Sequence, residues 1–176
     1  MNKTHIKELT TLLEEDHSKK QVKIIANLIE KKESLFKSLV YLSLYDQPII
    51  PQRASWVLDE ITQVHPEWIY PFIEEMAESL ENLSHSGARR NISKILGRSP
   101  LPKKNLGTLL NLCFEWMINR ETAIAVRAHC MTLLYRISEI EPDIIGELTE
   151  VLSEYLEIGS AGERSRAKQI LKKIQN

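Results

Sequence analysis

Polar side chains suited to binding a charged partner recur one helical turn apart along this sequence. Trp56 and Glu60 form the first such pair, and Lys94 and Arg98 occupy the same two positions 38 residues later. Arginine is well suited to recognise carboxylate or phosphate, because its planar guanidinium group can bond two oxygens at once. The spacing therefore predicts a row of partner-binding side chains. The members of this row are Trp56, Glu60, Lys94, Arg98, Arg136 and Lys173.

No motif in the sequence indicates catalysis, a cofactor site or a metal site. The five histidines are scattered, and none belongs to a recognisable metal-binding motif. Residues 159–162 are glycine-rich but lack the lysine and hydroxyl residue that end a phosphate-binding loop, so we expect a turn with Ser160 as the next N-cap. Cys113 and Cys130 lie among apolar residues and are predicted to be buried, reduced thiols. We therefore expect no catalytic residue, no cofactor and no metal.

Charge is segregated along the chain, although the formal net charge is only −1. Residues 49–84 hold seven acids and one base, whereas residues 85–136 hold nine bases and two acids. The near-zero total argues against an overall basic nucleic-acid-binding protein, whereas the local basic band over residues 85–136 favours an acidic partner. Four glutamates within residues 147–157 recur at helical spacing and form an acidic stripe, which is the alternative partner surface.

A repeat of 37–38 residues predicts the elements that must position these side chains. An apolar triplet at relative positions 0, 3 and 4 marks one face of an α-helix, which we call helix B. A second amphipathic helix, helix A, is predicted between consecutive B helices, and Pro66 and Pro142 fall where a helix A should begin. Trp68 and Trp116 fall near core positions of A helices and are predicted to pack between repeats. The triplets are Ala54-Val57-Leu58, Ile92-Ile95-Leu96, Cys130-Leu133-Leu134 and Ala167-Ile170-Leu171.

The N-terminal stretch follows the repeat less closely. A triplet that begins at Ile25 lies only 29 residues before the one that begins at Ala54. Atypical sequence is expected in the terminal repeats of such arrays, because they cap the core. We therefore predict an atypical N-terminal cap with a shortened repeat over residues 1–46, regular repeats over residues 48–174, and a single domain over residues 1–176.

The B helices resemble those of the HEAT repeat, in which an arginine stands three residues before the first apolar residue of the triplet. Arg89, Arg127 and Arg164 occupy this position here, whereas Pro51 replaces the arginine in the repeat of Ala54. The aspartate that usually precedes the arginine is not evident. The resemblance implies an all-α fold, a right-handed α-α superhelix of HEAT-like (armadillo-type) helix pairs with about ten helices.

HEAT-repeat proteins serve mostly as protein-binding scaffolds, so the resemblance implies a non-catalytic scaffold for a partner protein. Because the predicted row contains mainly bases, we expect this partner to bind the concave face through an acidic segment. The alternative is a nucleic-acid-binding protein related to HEAT-like alkylpurine DNA glycosylases, which use an aromatic residue and an aspartate one turn apart. Trp56 and Glu60 have a similar spacing, whereas Asp59 is expected to point elsewhere. A third hypothesis, that the protein is a HEAT-type lyase that attaches a prosthetic group, is supported by fold analogy alone.

The sequence also carries no signal for a membrane. It has no run of 18 apolar residues, and its N-terminus has no apolar stretch of the kind found in signal peptides. We therefore expect a cytoplasmic protein that does not insert into a membrane.

Overall fold

The computed structural model describes residues 2–45 and 49–175, and within these ranges it contains helices and no strand. The all-α fold class, with paired helices about ten in number, is confirmed. The predicted boundary at residues 46–48 lies outside the described residues. The α-helices are α1 (Lys3–Glu15), α2 (Lys19–Lys31), α3 (Phe36–Tyr45), α4 (Ile49–Val64), α5 (Ile73–Ser79), α6 (Ser86–Leu96), α7 (Leu106–Ile118), α8 (Ile124–Ser138), α9 (Ile145–Ile158) and α10 (Ala161–Ile174).

Short 3-10 helices lead into several of the α-helices. Pro66 and Pro142 are the first residues of two of them, in agreement with the predicted helix starts, because a proline in the first turn lacks only an N–H that has no partner there. Pro51 is the third residue of α4, where it is tolerated for the same reason. The 3-10 helices are Glu33–Leu35, Pro66–Phe72, Leu80–Asn82 and Pro142–Ile144.

Polar side chains cap several α-helices at their N-termini. The Asn2 side chain accepts hydrogen bonds from backbone N–H groups in the first turn of α1, and Ser18 caps α2 in the same way. Ser160 caps α10 in a capping box with Glu163, so each side chain accepts a hydrogen bond from the other residue's backbone. The turn with Ser160 as N-cap is thus confirmed.

Consecutive α-helices form five A–B pairs within the described residues, from α1 and α2 to α9 and α10. The B helices are α2, α4, α6, α8 and α10, and each carries one apolar triplet of the repeat. The chain divides into two compact units, Met1–Pro100 with α1 to α6 and Leu101–Asn176 with α7 to α10. In the first unit α4 packs against both α2 and α6, and in the second α8 packs against α10. The single domain over residues 1–176 stays a prediction.

The first residue of every triplet lies in the core. Ala54, Ile92, Cys130 and Ala167 are fully buried, and Ile25 of the N-terminal triplet is 1% exposed. The B helices therefore bury the face that the 0, 3 and 4 spacing predicts, including the one in the N-terminal stretch. None of the described helices is long and apolar enough to cross a membrane.

Candidate functional site

Two bases of the predicted row share one acid in the first unit. The Asp59 carboxylate on α4 accepts hydrogen bonds from Lys94 Nζ at 2.8 Å and from Arg98 Nη1 at 2.6 Å. Arg98 Nη2 also donates to the Asp59 carbonyl oxygen at 2.9 Å and to Thr62 Oγ1 at 2.7 Å. The Asp59 side chain is 8% exposed, whereas those of Lys94 and Arg98 are 41% and 27% exposed. The cluster therefore has two partly accessible cations for one buried anion.

Asp59 is the residue that sequence reasoning missed, since it was expected to point elsewhere. Its carboxylate points from α4 toward α6, because these B helices pack side by side. The residues that it binds lie 35 and 39 positions later, close to one repeat length. An acid followed one repeat later by bases on a B helix is the sequence signal that could have indicated this contact.

Three bases follow one another along one side of α6 and its C-terminal end. Arg90, Lys94 and Arg98 are spaced four residues apart, which places them on the same helix face, and we call them the basic column. Arg90 Nε donates to Asn91 Oδ1 at 3.2 Å, and Asn91 Nδ2 donates to Ser55 Oγ on α4 at 3.1 Å. These bonds position Arg90 at the α4 side of the column.

A cavity of about 310 Å³ adjoins the basic column at Arg90. The half-buried Trp56 ring forms part of its wall and meets the His17 ring edge-on, with 5.4 Å between the ring centroids. An aromatic wall beside cations suits a ligand that carries both an apolar group and a negative charge. The residues that line the cavity are His17, Gln52, Trp56, Arg90 and Asn91.

Glu60 lies one turn from Trp56 on α4, as the spacing predicted, and is half-buried. Among the described residues, none forms a hydrogen bond or an ion pair with its carboxylate. Glu60 is thus not part of the ion-pair cluster.

The second unit contains the other two residues of the predicted row. Arg136 lines a cavity of about 490 Å³ at the C-terminal end of α8, together with Lys103 and Glu139 and an apolar wall. Lys173 on α10 has its Nζ atom 5.2 Å from the centroid of the Tyr135 ring, a distance typical of a cation–π contact. The apolar wall consists of Leu101, Pro102, Leu106 and Ile140.

A family model described as the HEAT repeat domain matches residues 9–174, which extend from α1 to the last residue of α10. The chain belongs to the HEAT-repeat family. No curated protein and no solved structure gives a significant match to it.

The arginines that carry the HEAT resemblance anchor the start of a B helix to the turn before it. Arg89 Nε donates to the Leu83 carbonyl oxygen, and Arg164 Nη1 donates to the Gly159 carbonyl oxygen. Arg127 does the same in α8, where its guanidinium donates to two carbonyl oxygens of the preceding turn. Arg89 and Arg127, which belong to the basic band, therefore have structural contacts.

Arg127 also forms a buried ion pair with the next B helix of this HEAT-repeat protein. Its Nε atom donates to Glu163 Oε1 at 2.7 Å, and the two side chains are 8% and 2% exposed. Burial alone would raise the pKa of Glu163, but hydrogen bonds from Arg127 and Ser160 outweigh this effect and lower the pKa. The acidic partner of this HEAT arginine is thus a glutamate in the following repeat, not an aspartate just before it.

The two cysteines are free thiols buried next to each other, in agreement with the prediction of buried, reduced thiols. A hydrogen bond with Cys130 and burial raise the pKa of Cys113, which disfavours the reactive thiolate. Over residues 2–45 and 49–175, no group of three or more histidine, cysteine, aspartate or glutamate side chains could hold a metal ion.

The acidic stripe predicted on helix A of the last repeat lies on α9, where its four glutamates are exposed. One of them, Glu154, accepts a hydrogen bond from Arg120 Nη2 at 2.8 Å, whose side chain also lies over the Tyr155 ring. The stripe therefore offers three further carboxylates to solvent, those of Glu147, Glu150 and Glu157.

Proposed function

We propose that this HEAT-repeat protein is a non-catalytic scaffold that binds an acidic segment of a partner protein along its basic column. HEAT repeats generally mediate protein–protein interactions, and the fold of this chain is of that kind. The observation that carries the proposal is the column itself, in which three bases lie on one side of α6 and, among the described residues, only Asp59 forms an ion pair with any of them. The concave face of the array is where we expect this column to lie.

The contacts within the column leave donors for a ligand. Lys94 carries three N–H donors and uses one on Asp59, and its side chain is 41% exposed. Arg90 is exposed, and within the described part of the chain only its Nε atom donates a hydrogen bond, to Asn91 Oδ1. A carboxylate-rich segment would thus find oriented cations that are already held in place, which lowers the entropy lost on binding.

Trp56 supports the same ligand class. A half-buried tryptophan beside arginine is typical of the residues that dominate binding energy at protein interfaces. The second unit offers a comparable combination, since Arg136 and Lys103 border an apolar cavity. An acidic segment with interspersed apolar residues would satisfy both kinds of contact, in each unit separately.

The test is a titration of labelled peptides in which glutamate alternates with leucine, and binding is measured by fluorescence anisotropy. We expect Arg90→Gln combined with Lys94→Gln to weaken binding by about tenfold, because two charge contacts are lost. Arg98 is kept in this variant, so the buried Asp59 retains a cation. The matched control is Lys3→Gln with Lys7→Gln, which removes the same charge from exposed positions on α1.

Equal losses in the two variants would show that binding depends on net charge alone, and the proposal would fail. A DNA duplex that competes with the peptide and binds more tightly than it at the same salt concentration would instead favour the nucleic-acid alternative. Wild-type protein that binds neither ligand would contradict both.

A further inference from the structure

Aromatic side chains are concentrated on the A-helix side of the first unit. Six of the eleven phenylalanine, tryptophan and tyrosine residues lie in α3 or in the 3-10 helix Pro66–Phe72. Tyr45 and Tyr70 are 47% and 46% exposed, Tyr41, Trp68 and Phe72 are half-buried, and Phe36 is buried. Exposed aromatic clusters of this kind mark interaction surfaces more often than isolated apolar residues do. The six residues are Phe36, Tyr41, Tyr45, Trp68, Tyr70 and Phe72.

Two cavities of about 530 and 350 Å³ lie along this cluster, and both are lined by Lys37 and Phe72. Because they share these two residues, they adjoin and form one groove along α3 and the Pro66–Phe72 helix, which we call the aromatic groove. The larger cavity is also lined by Tyr41 and Tyr45. The smaller one is also lined by Phe36, Trp68 and Pro71.

The rings of the aromatic groove are held by contacts with one another. Phe36 meets Trp68 edge-on with 5.3 Å between centroids, and Trp68 stacks on His65 at 4.5 Å. Tyr41 and Tyr45 lie 5.3 Å apart, and Ser79 Oγ donates to the Tyr45 hydroxyl oxygen at 2.7 Å. Rigid aromatic residues lose little conformational entropy when a ligand binds, so the groove is preformed for contact.

The charge that borders the groove is mainly negative. Glu75 lines the larger cavity, and Glu33 and Glu67 line the smaller one, whereas Lys37 is the only base among the described residues that line either cavity. Glu67 and Glu75 belong to residues 49–84, which carry seven acids and one base, and Glu33 lies earlier, at the start of the 3-10 helix Glu33–Leu35. The groove thus has the opposite charge to the basic column on α6.

We propose that the aromatic groove is a second docking surface, which binds a basic segment of a partner protein. Arginine or lysine side chains would lie over the tyrosine and tryptophan faces, where a cation is attracted by the ring quadrupole. The three carboxylates at the border would pair with the remaining positive charges of the segment. The ligand is therefore opposite in charge to the acidic segment proposed for the basic column, and it binds on A-helix elements.

The experiment measures the affinity of the full chain for a labelled peptide in which arginine alternates with serine. We expect Lys37→Glu to tighten binding by about fivefold, because it replaces the one opposing charge of the groove with a further acid. Glu67→Gln combined with Glu75→Gln should weaken binding by about fivefold to tenfold. Tyr41→Leu, which keeps an apolar side chain but removes the ring, should weaken it by about threefold to tenfold.

The matched control is Glu150→Gln combined with Glu157→Gln, which removes two exposed acids from α9 in the second unit. Weakening of the same size in this control would show unspecific attraction and would overturn the proposal. The proposal would also be overturned by two results together. These are that wild-type protein binds a glutamate–serine peptide more tightly than the arginine–serine peptide, and that Lys37→Glu leaves the affinity for the arginine–serine peptide unchanged. Self-association that Tyr41→Leu abolishes in the absence of peptide would assign the groove to a second copy of the chain instead. None of these variants alters the basic column, so this result is independent of the acidic-peptide titration.

Discussion

Replacing Arg127 with methionine is expected to lower the free energy of unfolding by about 3–5 kcal/mol. The Arg127 guanidinium pairs with Glu163 at 2.7 Å, and both side chains are almost completely buried. Its loss leaves a buried carboxylate without its cation and two carbonyl oxygens of the preceding turn without their donor. The measurement is urea unfolding monitored by circular dichroism. The midpoint of the unfolding transition and the dependence of its free energy on urea concentration are compared with those of wild type.

The pH dependence of this loss distinguishes a charge effect from a packing effect. Because the folded-state pKa of Glu163 is lowered, its stabilising contribution is present above the ordinary glutamate pKa and is lost as pH falls through the folded-state value. In the Arg127→Met variant burial is no longer opposed, so Glu163 should bind a proton more readily than in wild type. The difference in stability between the two proteins should therefore shrink as pH falls from 7 to about 4.

Arg120→Met is the matched control, because Arg120 forms an exposed ion pair with Glu154 in the same unit. We expect it to cost no more than about 1 kcal/mol, as is usual for exposed ion pairs. The double variant Arg127→Met with Glu163→Gln should recover part of the loss, since it removes the unpaired charge. Equal costs for Arg127→Met and Arg120→Met would contradict the role given to the buried pair.

Replacing Ile25 with alanine is expected to cost about 2–5 kcal/mol of folding stability. Ile25 is the first residue of the N-terminal triplet and is 1% exposed, so its truncation leaves a cavity at the core side of α2. Ile24 is its neighbour on the same helix but is 48% exposed. Ile24→Ala should therefore change stability by less than about 1 kcal/mol, because little buried surface is lost and alanine favours the helix.

Thermal and urea unfolding of the two alanine variants would measure this contrast. A similar cost for Ile24→Ala and Ile25→Ala would mean that the triplet does not define the buried face of α2. The N-terminal stretch would then be a loosely attached cap rather than a helix pair packed like the others.

Helix positions were predictable from sequence because their determinants are local. The 0, 3 and 4 spacing follows from helix geometry alone, and it predicted the buried faces of all B helices from α2 to α10. Pro66, Pro142 and Ser160 act within one turn of a helix start, so their roles could be predicted in the same way.

Contacts between repeats were not predictable by the same means. The pairing of Asp59 with Lys94 and Arg98, and of Arg127 with Glu163, depends on how neighbouring B helices align along their length. Periodicity within one helix carries no information on that alignment. The aromatic groove is not predictable for a related reason, because the spacing of Trp68 predicts packing between repeats but carries no information on its neighbours in space.

The central claim is that an acidic segment binds the basic column, in which Asp59 pairs with Lys94 and Arg98. Asp59→Asn removes the internal anion that now holds Lys94 and Arg98, and the asparagine keeps one side-chain acceptor oxygen in place of the two of the carboxylate. The matched control is Glu60→Gln, which removes a charge from the next residue of α4 without touching that cluster. Both variants should first be checked for unchanged helix content by circular dichroism.

The decisive measurement is the affinity of these two variants and of wild type for the glutamate–leucine peptide at one salt concentration. We predict that Asp59→Asn binds about fivefold more tightly than wild type and that Glu60→Gln gains less. Unchanged or weaker binding by a folded Asp59→Asn variant would show that the acidic ligand does not use the bases that Asp59 holds, and the proposed binding surface would be wrong.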